Sequence, residues 1–313
     1  MCGIAGIFYT QPARAVAPEL LQRMTSALRH RGPDDDGFYV DGPIGLGHRR
    51  LSIIDVAGGR QPICNQAKTK AIVFNGEIYN FQRLRDTLMH RGYRFTTQGD
   101  TEVILHAYEE YGEACVQHLR GMFAFAIWDG VKKQLFLARD RVGIKPLYYY
   151  WDGHTLLFAS EIKAILQDPG VERTLDAQAL DDYLTYLYVP GPKSIFQKIR
   201  KLRPGHTVTV SAHGVVEQQY WDLAFQPQDA LQEADYATGL LEKLKESVAI
   251  HLMSEVPLGA FLSGGVDSSA VVAIMAGLLD RPVNTASIGF REAAFDELPY
   301  PREVAQHFRT RAH

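Results

Sequence analysis

Hydrophobic and polar positions change rhythm about two-thirds of the way along the chain. Up to residue 222, short apolar runs dominate. Residues 71–74, 123–128, 134–138, 147–151, 155–158 and 206–210 are rich in aromatic and β-branched side chains, a composition that suits a pleated, half-buried surface. Turn signals such as Asp129-Gly130 and Asp152-Gly153 separate most of them. Three stretches carry helical spacing instead: 19–29, 78–90 and 101–111. In the last, Val103, Ile104, Ala107, Tyr108 and Tyr111 recur at that spacing and Gly112 stops the run. Strands flanked by helices predict an α+β sandwich over residues 2–222.

After Trp221-Asp222 the polar stretch 226–235 reads as a linker. A helix is predicted over 236–251, with Leu240, Leu241, Leu244 and Val248 on one face. A strand over 256–262, a Gly/Ser loop, a helix over 270–279, a strand over 283–290 and a final helical pattern follow. That alternation predicts βαβ units on a parallel sheet over 236–313. Typical domains run to roughly 100 residues or more, so the chain is expected to stop inside this second domain.

Composition narrows the function. With 33 basic and 36 acidic side chains the net charge is −3, without the clustered basic excess that nucleic-acid binding needs. No run approaches the roughly 18 apolar residues of a membrane helix, and the start, MCGIAGIFYT, lacks the basic flank of a secretion signal. The three cysteines, Cys2, Cys64 and Cys115, can neither pair fully nor meet zinc-ligand spacing. Cys64 and Cys115 read as ordinary thiols, and no histidine is assigned a role. A cytoplasmic enzyme of at least two domains is the expectation, with no nucleic-acid or membrane partner and a homodimer left open.

The candidate chemistry starts at Cys2. Removal of Met1 would place a thiol and a free α-amine on one residue. An α-amine titrates near 7.7–8.0 in typical cases, so part of it is neutral and able to take the thiol proton. The alternative is a small apolar residue leading into a strand. Phe74-Asn75-Gly76-Glu77 is read as following a strand and opening a helix, with the Asn75 amide and Gly76 N–H aimed at a developing oxyanion; a plain Asn-Gly turn is the competing reading. Arg50, in His48-Arg49-Arg50-Leu51-Ser52-Ile53-Ile54-Asp55, offers a guanidinium for a substrate carboxylate, or is a surface arginine before a short strand. Asp100 could hold a substrate ammonium, cap a helix, or do both. The turn-forming loop 30–35 could line the same pocket.

Taken together and in order, Met1-Cys2-Gly3-Ile4-Ala5-Gly6, Arg31-Gly32-Pro33-Asp34, Arg50-Leu51-Ser52-Ile53, Phe74-Asn75-Gly76-Glu77 and Gly99-Asp100-Thr101-Glu102 resemble the class II glutamine amidotransferases, which are N-terminal-nucleophile glutaminases of αββα fold. The resemblance implies that Cys2 attacks the glutamine side-chain amide to give a glutamyl thioester. Asn75 and Gly76 would hold the oxyanion, and Arg50, Leu51, Ser52, Ile53, Ile54, Asn75, Gly76, Glu77 and Asp100 would bind glutamine. Arg139–Tyr148 and Phe158–Glu161 also resemble family segments, and by analogy face the second domain.

In the second domain, Ser263-Gly264-Gly265-Val266-Asp267-Ser268-Ser269 follows an apolar strand. It reads as an anion site of backbone N–H groups and hydroxyls at a helix start, or as a structural turn with Ser and Asp caps. It lacks the Gly-Lys-Ser/Thr of a Walker loop. Asp267 sits where a carboxylate helps hold Mg²⁺ on phosphates. The loop resembles that of ATP pyrophosphatases, which implies that Leu262 and Ile288 contact adenosine, and Asn284–Phe290 and Phe295-Asp296-Glu297 continue the likeness. The two halves in this order look like the glutamine-hydrolysing asparagine synthetases. That implies glutamine, aspartate, ATP and Mg²⁺ as substrates and cofactor, an aspartyl-AMP intermediate, and a further acidic segment beyond His313. Amidation of another carboxylate, such as an envelope or exopolysaccharide precursor, and a catalytically silent scaffold are the competing functions.

Overall fold

The computed structural model describes residues 1–226, 231–292 and 296–313, in two compact units, Met1–Ala224 and Phe225–His313. The first unit begins with β1 (Gly3–Tyr9), α1 (Pro18–Ser26), β2 (Asp35–Asp41), β3 (Ile44–Arg50), β4 (Ile63–Cys64) and β5 (Lys70–Ile78). It continues with α2 (Phe81–His90), α3 (Asp100–Tyr111), α4 (Cys115–His118), β6 (Gly121–Asp129), β7 (Gln134–Arg139), β8 (Tyr148–Trp151) and β9 (Thr155–Ala159). It ends with α5 (Ile162–Ile165), α6 (Ala177–Tyr186), β10 (Ile199–Lys201), β11 (His206–Ser211) and β12 (Gly214–Gln219).

These strands form two six-stranded sheets, ordered β10-β8-β9-β1-β3-β2 and β12-β11-β7-β6-β5-β4. The sheets bury one face of each against the other. Ile4, Phe8, Ile44, Leu46 and Phe158 from the first meet Val73, Ala126, Trp128, Leu137 and Val208 from the second. Each fully buried side chain of this size contributes about 1.5–3 kcal/mol. On the outside of the first sheet, Leu21, Met24 and Leu28 of the α1 segment pack on Ala5, Ile7 and Leu157. Helix α3 packs over β5 and against α2 on the outside of the second. The layers are α, β, β, α, the arrangement predicted.

Several boundaries differ from the sequence reading. Asn75-Gly76-Glu77 does not open a helix: it lies inside β5, paired Asn75↔Ala124, Gly76↔Phe123 and Glu77↔Met122, and α2 starts only at Phe81. Pairing with β6 overrides the turn preference of Asn-Gly, and the glycine serves the close approach instead, since a Cβ on Gly76 would lie 2.1 Å from Met122 O. Helix α1 ends at Ser26, short of the predicted residue 29. Strands β2 and β3 were missed, because polar and glycine-rich sequences such as Ile44-Gly45-Leu46-Gly47 have low strand propensity. Here Gly47 leaves room for the Thr25 hydroxyl, which a Cβ would meet at 2.1 Å.

The second unit contains α7 (Glu233–His251), β13 (Gly259–Phe261), α8 (Val266–Leu278), β14 (Asn284–Ala286), α9 (Pro299–His307) and β15 (Arg311–Ala312). Its sheet, β13-β14-β15, is parallel throughout. The helix predicted from 236 begins at Glu233, where Gln232 and Asp235 form a reciprocal capping box. Of the predicted linker, residues 227–230 lie outside the described residues. The strand predicted over 256–262 shrinks to three residues: Pro257 has no N–H to give a ladder, and Val256 N donates to Ser254 Oγ at 3.2 Å in a turn. The partner strand, predicted over 283–290, shortens with it to Asn284–Ala286. Helix α8 begins at Val266 rather than 270, taking Asp267, Ser268 and Ser269 into its first turn.

Candidate active site

Cys2 stands one residue before β1 in a cavity of about 190 Å³. Its carbonyl accepts a 2.9 Å bond from Arg31 Nε, and Arg31 is itself paired with Glu161 at 2.9 Å. The Leu51 N–H donates to Cys2 Sγ at 3.4 Å. Burial pushes the thiol pKa up; that N–H bond, the positive chain terminus and Arg50 oppose the shift, and Asp100 adds to it. The terminal amine, here on Met1, is pulled down by burial, with Arg31 and Lys145 acting in the same direction against Cys2 and Asp34. That amine belongs to Met1; the one that would take the thiol proton is the Cys2 amine, exposed once Met1 is removed.

Strand β5 carries the next groups. Asn75 and Gly76 both line the cavity, and Asn75 Nδ2 is buried with no hydrogen-bond partner among the described residues. An unpaired buried amide costs about 1–3 kcal/mol, which a ligand oxygen placed against it would recover. Glu77 and Asp100 line the same cavity. Asp100 is the first residue of α3 and Gly99 its N-cap, yet the Asp100 carboxyl still serves the helix start, held by the backbone N–H groups of Asp100 and Thr101, while its Oδ2 accepts the Ile78 N–H at 3.0 Å. Burial raises its pKa to about 7 against that bond, and nearby Glu77 adds to the rise. A cation brought against it, such as a substrate ammonium, would return it to the ionised form.

Arg50 differs from both sequence readings. It is buried and lines the cavity, yet its guanidinium is committed to the loop that follows, donating to Val56 O at 3.1 Å, Ile54 O at 3.3 Å and Asp55 O. It is neither a free fork nor a surface side chain; it shapes the wall bearing Leu51, Ile53 and Ile54, which line the cavity. Asp55 ties that wall to the start of α3, accepting from Gln98 N at 2.8 Å and Gly99 N at 3.1 Å. Ser52 is not among the lining residues; its N–H donates to Asp34 at 2.8 Å. The loop 30–35 does not line the cavity; it braces Cys2 and Ser52 through Arg31 and Asp34.

Sequence reasoning missed Gln61, Thr101, Met122 and Lys145, all of which line the cavity. Gln61 accepts the Phe74 N–H at 2.7 Å and donates to Thr101 Oγ1 at 3.2 Å. In the sequence Lys145 stands out only as part of the segment Arg139–Tyr148, which by analogy faces the second domain. No local sequence signal singles it out, because only the fold shows Arg139 and Asp140 spent on the turn that precedes it.

In the second unit a cavity of about 210 Å³ gathers Leu262, Ser263 and Ile288 with Phe261, Ala286, Glu297 and Pro301. The remaining predicted residues, Gly264, Gly265, Val266, Asp267, Ser268 and Ser269, run from the loop into the first turn of α8. Gly264 has φ +80°, and a Cβ there would lie 2.4 Å from Tyr300 Cβ, so glycine is required twice over. Ser263 Oγ meets Ser268 Oγ at 3.0 Å and accepts from Gly265 N at 3.3 Å. Among the described residues no group of three or more His, Cys, Asp or Glu side chains comes together to hold a metal, and no helix is long and apolar enough to cross a membrane.

An αββα sandwich with a cysteine at the head of its first strand, sharing a cavity with a strand-borne Asn-Gly pair, defines the N-terminal-nucleophile amidotransferase class. Two solved structures share the fold. Glutamine phosphoribosylpyrophosphate amidotransferase from B. subtilis, complexed with ADP and GMP, has a TM-score of 0.53 and 18% identity, over 94% of this chain and 68% of that one. A structure titled the allosteric regulatory enzyme of purine biosynthesis has a TM-score of 0.54 and 17% identity, over 97% and 78%. The glutamine amidotransferase domain profile matches residues 1–221, and the chain belongs to that family; the asparagine synthase profile matches residues 239–313. Among curated relatives, asparagine synthetase [glutamine-hydrolyzing] 1 of Bacillus subtilis is 39% identical over 308 residues, covering 97% of this chain and 48% of the relative. Asparagine synthetase [glutamine-hydrolyzing] 3 of the same organism is 38% identical over 331 residues, covering 100% and 54%. The chain spans about half the length of these relatives.

Proposed function

We propose that this chain carries the glutaminase and the nucleotide loop of a glutamine-dependent asparagine synthetase. The observation that carries the reading is one cavity shared by the Cys2 thiol, the unpartnered Asn75 amide and the buried Asp100 carboxyl. After Met1 is removed, the Cys2 amine takes the thiol proton and the sulfur attacks the glutamine amide carbon. The oxyanion forms against Asn75 Nδ2 and the Gly76 backbone, while Asp100 and Glu77 face the substrate ammonium. Collapse returns a proton to nitrogen and releases ammonia, leaving a glutamyl thioester that water cleaves to glutamate. Ammonia then replaces AMP on an adenylated aspartate, because AMP is a far better leaving group than the oxide of a free carboxylate.

For the second half, the Ser263–Ser269 turn supports binding of the ATP phosphates, with Leu262 and Ile288 beside the nucleoside. Mg²⁺ would neutralise the phosphates. Asp267, exposed beside the serine hydroxyls, and Glu297, exposed in the Ser263 cavity, are carboxylates suited to an ion that would keep much of its water shell. Dependence on ATP supports a cytoplasmic setting. A different acceptor is the second reading, because relatives of similar identity are not all named asparagine synthetases: amidase chry2 of Gibberella zeae is 36% identical over 298 residues, covering 90% of this chain and 44% of the relative.

The decisive experiment is glutamate and pyrophosphate release by the full-length enzyme containing this chain. Glutamate formed from glutamine, with pyrophosphate release from ATP stimulated by aspartate, is the expected result. Stimulation by another carboxylate alone would transfer the assignment to the second reading. No glutamate from a chain whose mass proves Met1 absent would overturn the glutaminase assignment.

A further inference from the structure

Lys145 is 5% exposed and lines the Cys2 cavity, yet among the described residues it has no carboxylate within ion-pair distance. Its ammonium donates, among the described residues, only to Met1 Sδ, at 3.5 Å, and a thioether is a weak acceptor. Burying a cation on such terms is costly. The surrounding segment is built to hold it there. Arg139 donates to Lys145 O, Gly143 O and Leu202 O, each at 2.7 Å. Asp140 accepts from Ile144 N at 2.8 Å, Lys145 N at 2.9 Å and Phe123 N at 3.2 Å, and Gly143 takes the turn at φ +71°. The polar groups of Arg139 and Asp140 are spent on fixing the backbone, and Lys145 faces the reactive cavity. Removal of Met1 takes away its sulfur partner as well.

We propose that Lys145 is a positioning residue of the glutaminase, its ammonium acting through space on the charge state of the Cys2 thiol and of the chain-terminal amine. This rests on the glutaminase reading above. A cation favours the thiolate and disfavours the ammonium, so it lowers the pKa of both groups. Both changes help, because the thiolate is the nucleophile and the neutral amine is the base. The other charges in play are Arg50 and Asp100 on the thiol, Arg31 and Asp34 on the amine while Met1 is still in place, and Glu77, Arg31 and Asp140 on Lys145 itself. Burial pulls the Lys145 pKa down, while Glu77, Cys2 and Asp140 resist.

The test compares wild type, Lys145→Met and Lys145→Arg, each shown by mass to lack Met1. Alkylation of Cys2 by iodoacetamide is followed peptide by peptide across pH, and kcat and KM for glutamine hydrolysis are measured across the same range. Loss of the cation should move the alkylation midpoint, and the acid limb of kcat/KM, to higher pH by about one unit, with Lys145→Arg restoring both. Superimposable profiles for wild type and Lys145→Met would overturn the proposal. So would a raised KM with unshifted profiles, which would make Lys145 a substrate anchor. If Lys145→Met loses its near-ultraviolet circular dichroism, Lys145→Gln takes its place. A shifted alkylation midpoint in a protein that releases no glutamate would sustain the electrostatic role and defeat the glutaminase reading.

Discussion

The two units offer candidate sites made of opposite materials. In Met1–Ala224 the site is a set of side chains, Cys2, Asn75, Asp100 and Lys145, desolvated between or beside two sheets whose shared core includes Trp128 and Phe158. In Phe225–His313 the site is a stretch of backbone with exposed hydroxyls. The buried side chains there fall into two small groups, Val248, Met275 and Val283, and Leu262, Val272 and Ala305. Thr285 is its one buried polar residue among those described. The contrast has a physical reason. Unpaired polar side chains can be kept dry only by a core that outweighs their desolvation. A strand, a glycine turn and a helix start present N–H groups with little core at all.

The largest effect that would sharpen this contrast is the loss of one side chain. Cys2→Ala should reduce glutamine hydrolysis by on the order of 10⁴-fold or more, the scale on which nucleophile removal is felt. ATP protection of the Ser263–Ser269 peptide against hydrogen exchange should be unchanged. A variant that lost both at once would show that the two sites are not separable, and the comparison would fail.

Next in size is packing. Phe158 is fully buried between the sheets, and Phe158→Ala should cost about 3–5 kcal/mol. Val272, equally buried but in the smaller cluster with Leu262 and Ala305, should cost only about 1–2 kcal/mol as Val272→Ala. Urea denaturation followed by peptide-resolved hydrogen exchange separates the two, with faster exchange confined to β1 and β9 in the first case and to α8 in the second. Equal costs would mean that the second unit has a core comparable to the first.

The same contrast explains what could be read from sequence. Strands with aromatic and β-branched alternation, such as β6 and β7, were legible because their composition and their burial agree. Strand β3 was not, since Gly45 and Gly47 are there to admit Val16 and Thr25 of the α1 layer, a demand made by a neighbour and not by the strand itself. Asn75-Gly76 misled because its local turn chemistry is overruled by pairing with β6, although the two residues still reach the cavity. Cys2, Asn75, Glu77 and Asp100 were legible as ordered motifs. Arg50 was legible as present and illegible in orientation, for only the folded loop shows three carbonyls around its guanidinium. Lys145 was hidden because its partners are defined by what is absent from its surroundings. In the second unit the Ser-Gly-Gly motif was plain, but its strands proved shorter than their apolar runs, since a strand extends only as far as a neighbour pairs with it.

The smallest effect expected is at Ser263. Its hydroxyl contacts Ser268 Oγ and accepts the Gly265 N–H, so Ser263→Ala removes those bonds and frees the N–H for a ligand oxygen. One hydroxyl hydrogen bond is worth about 0.5–1.5 kcal/mol net, and the freed donor offsets part of it. ATP affinity, measured by isothermal titration on the full-length enzyme, should therefore weaken by no more than about tenfold. The backbone donors of the turn remain after any single hydroxyl is removed, which makes such a site tolerant in a way the Cys2 cavity is not. A loss of about a hundredfold or more would correspond to more than about 2.7 kcal/mol, beyond one neutral hydrogen bond. It would mean that the loop binds through its side chains, as the first unit does, and that the two sites differ in depth but not in kind.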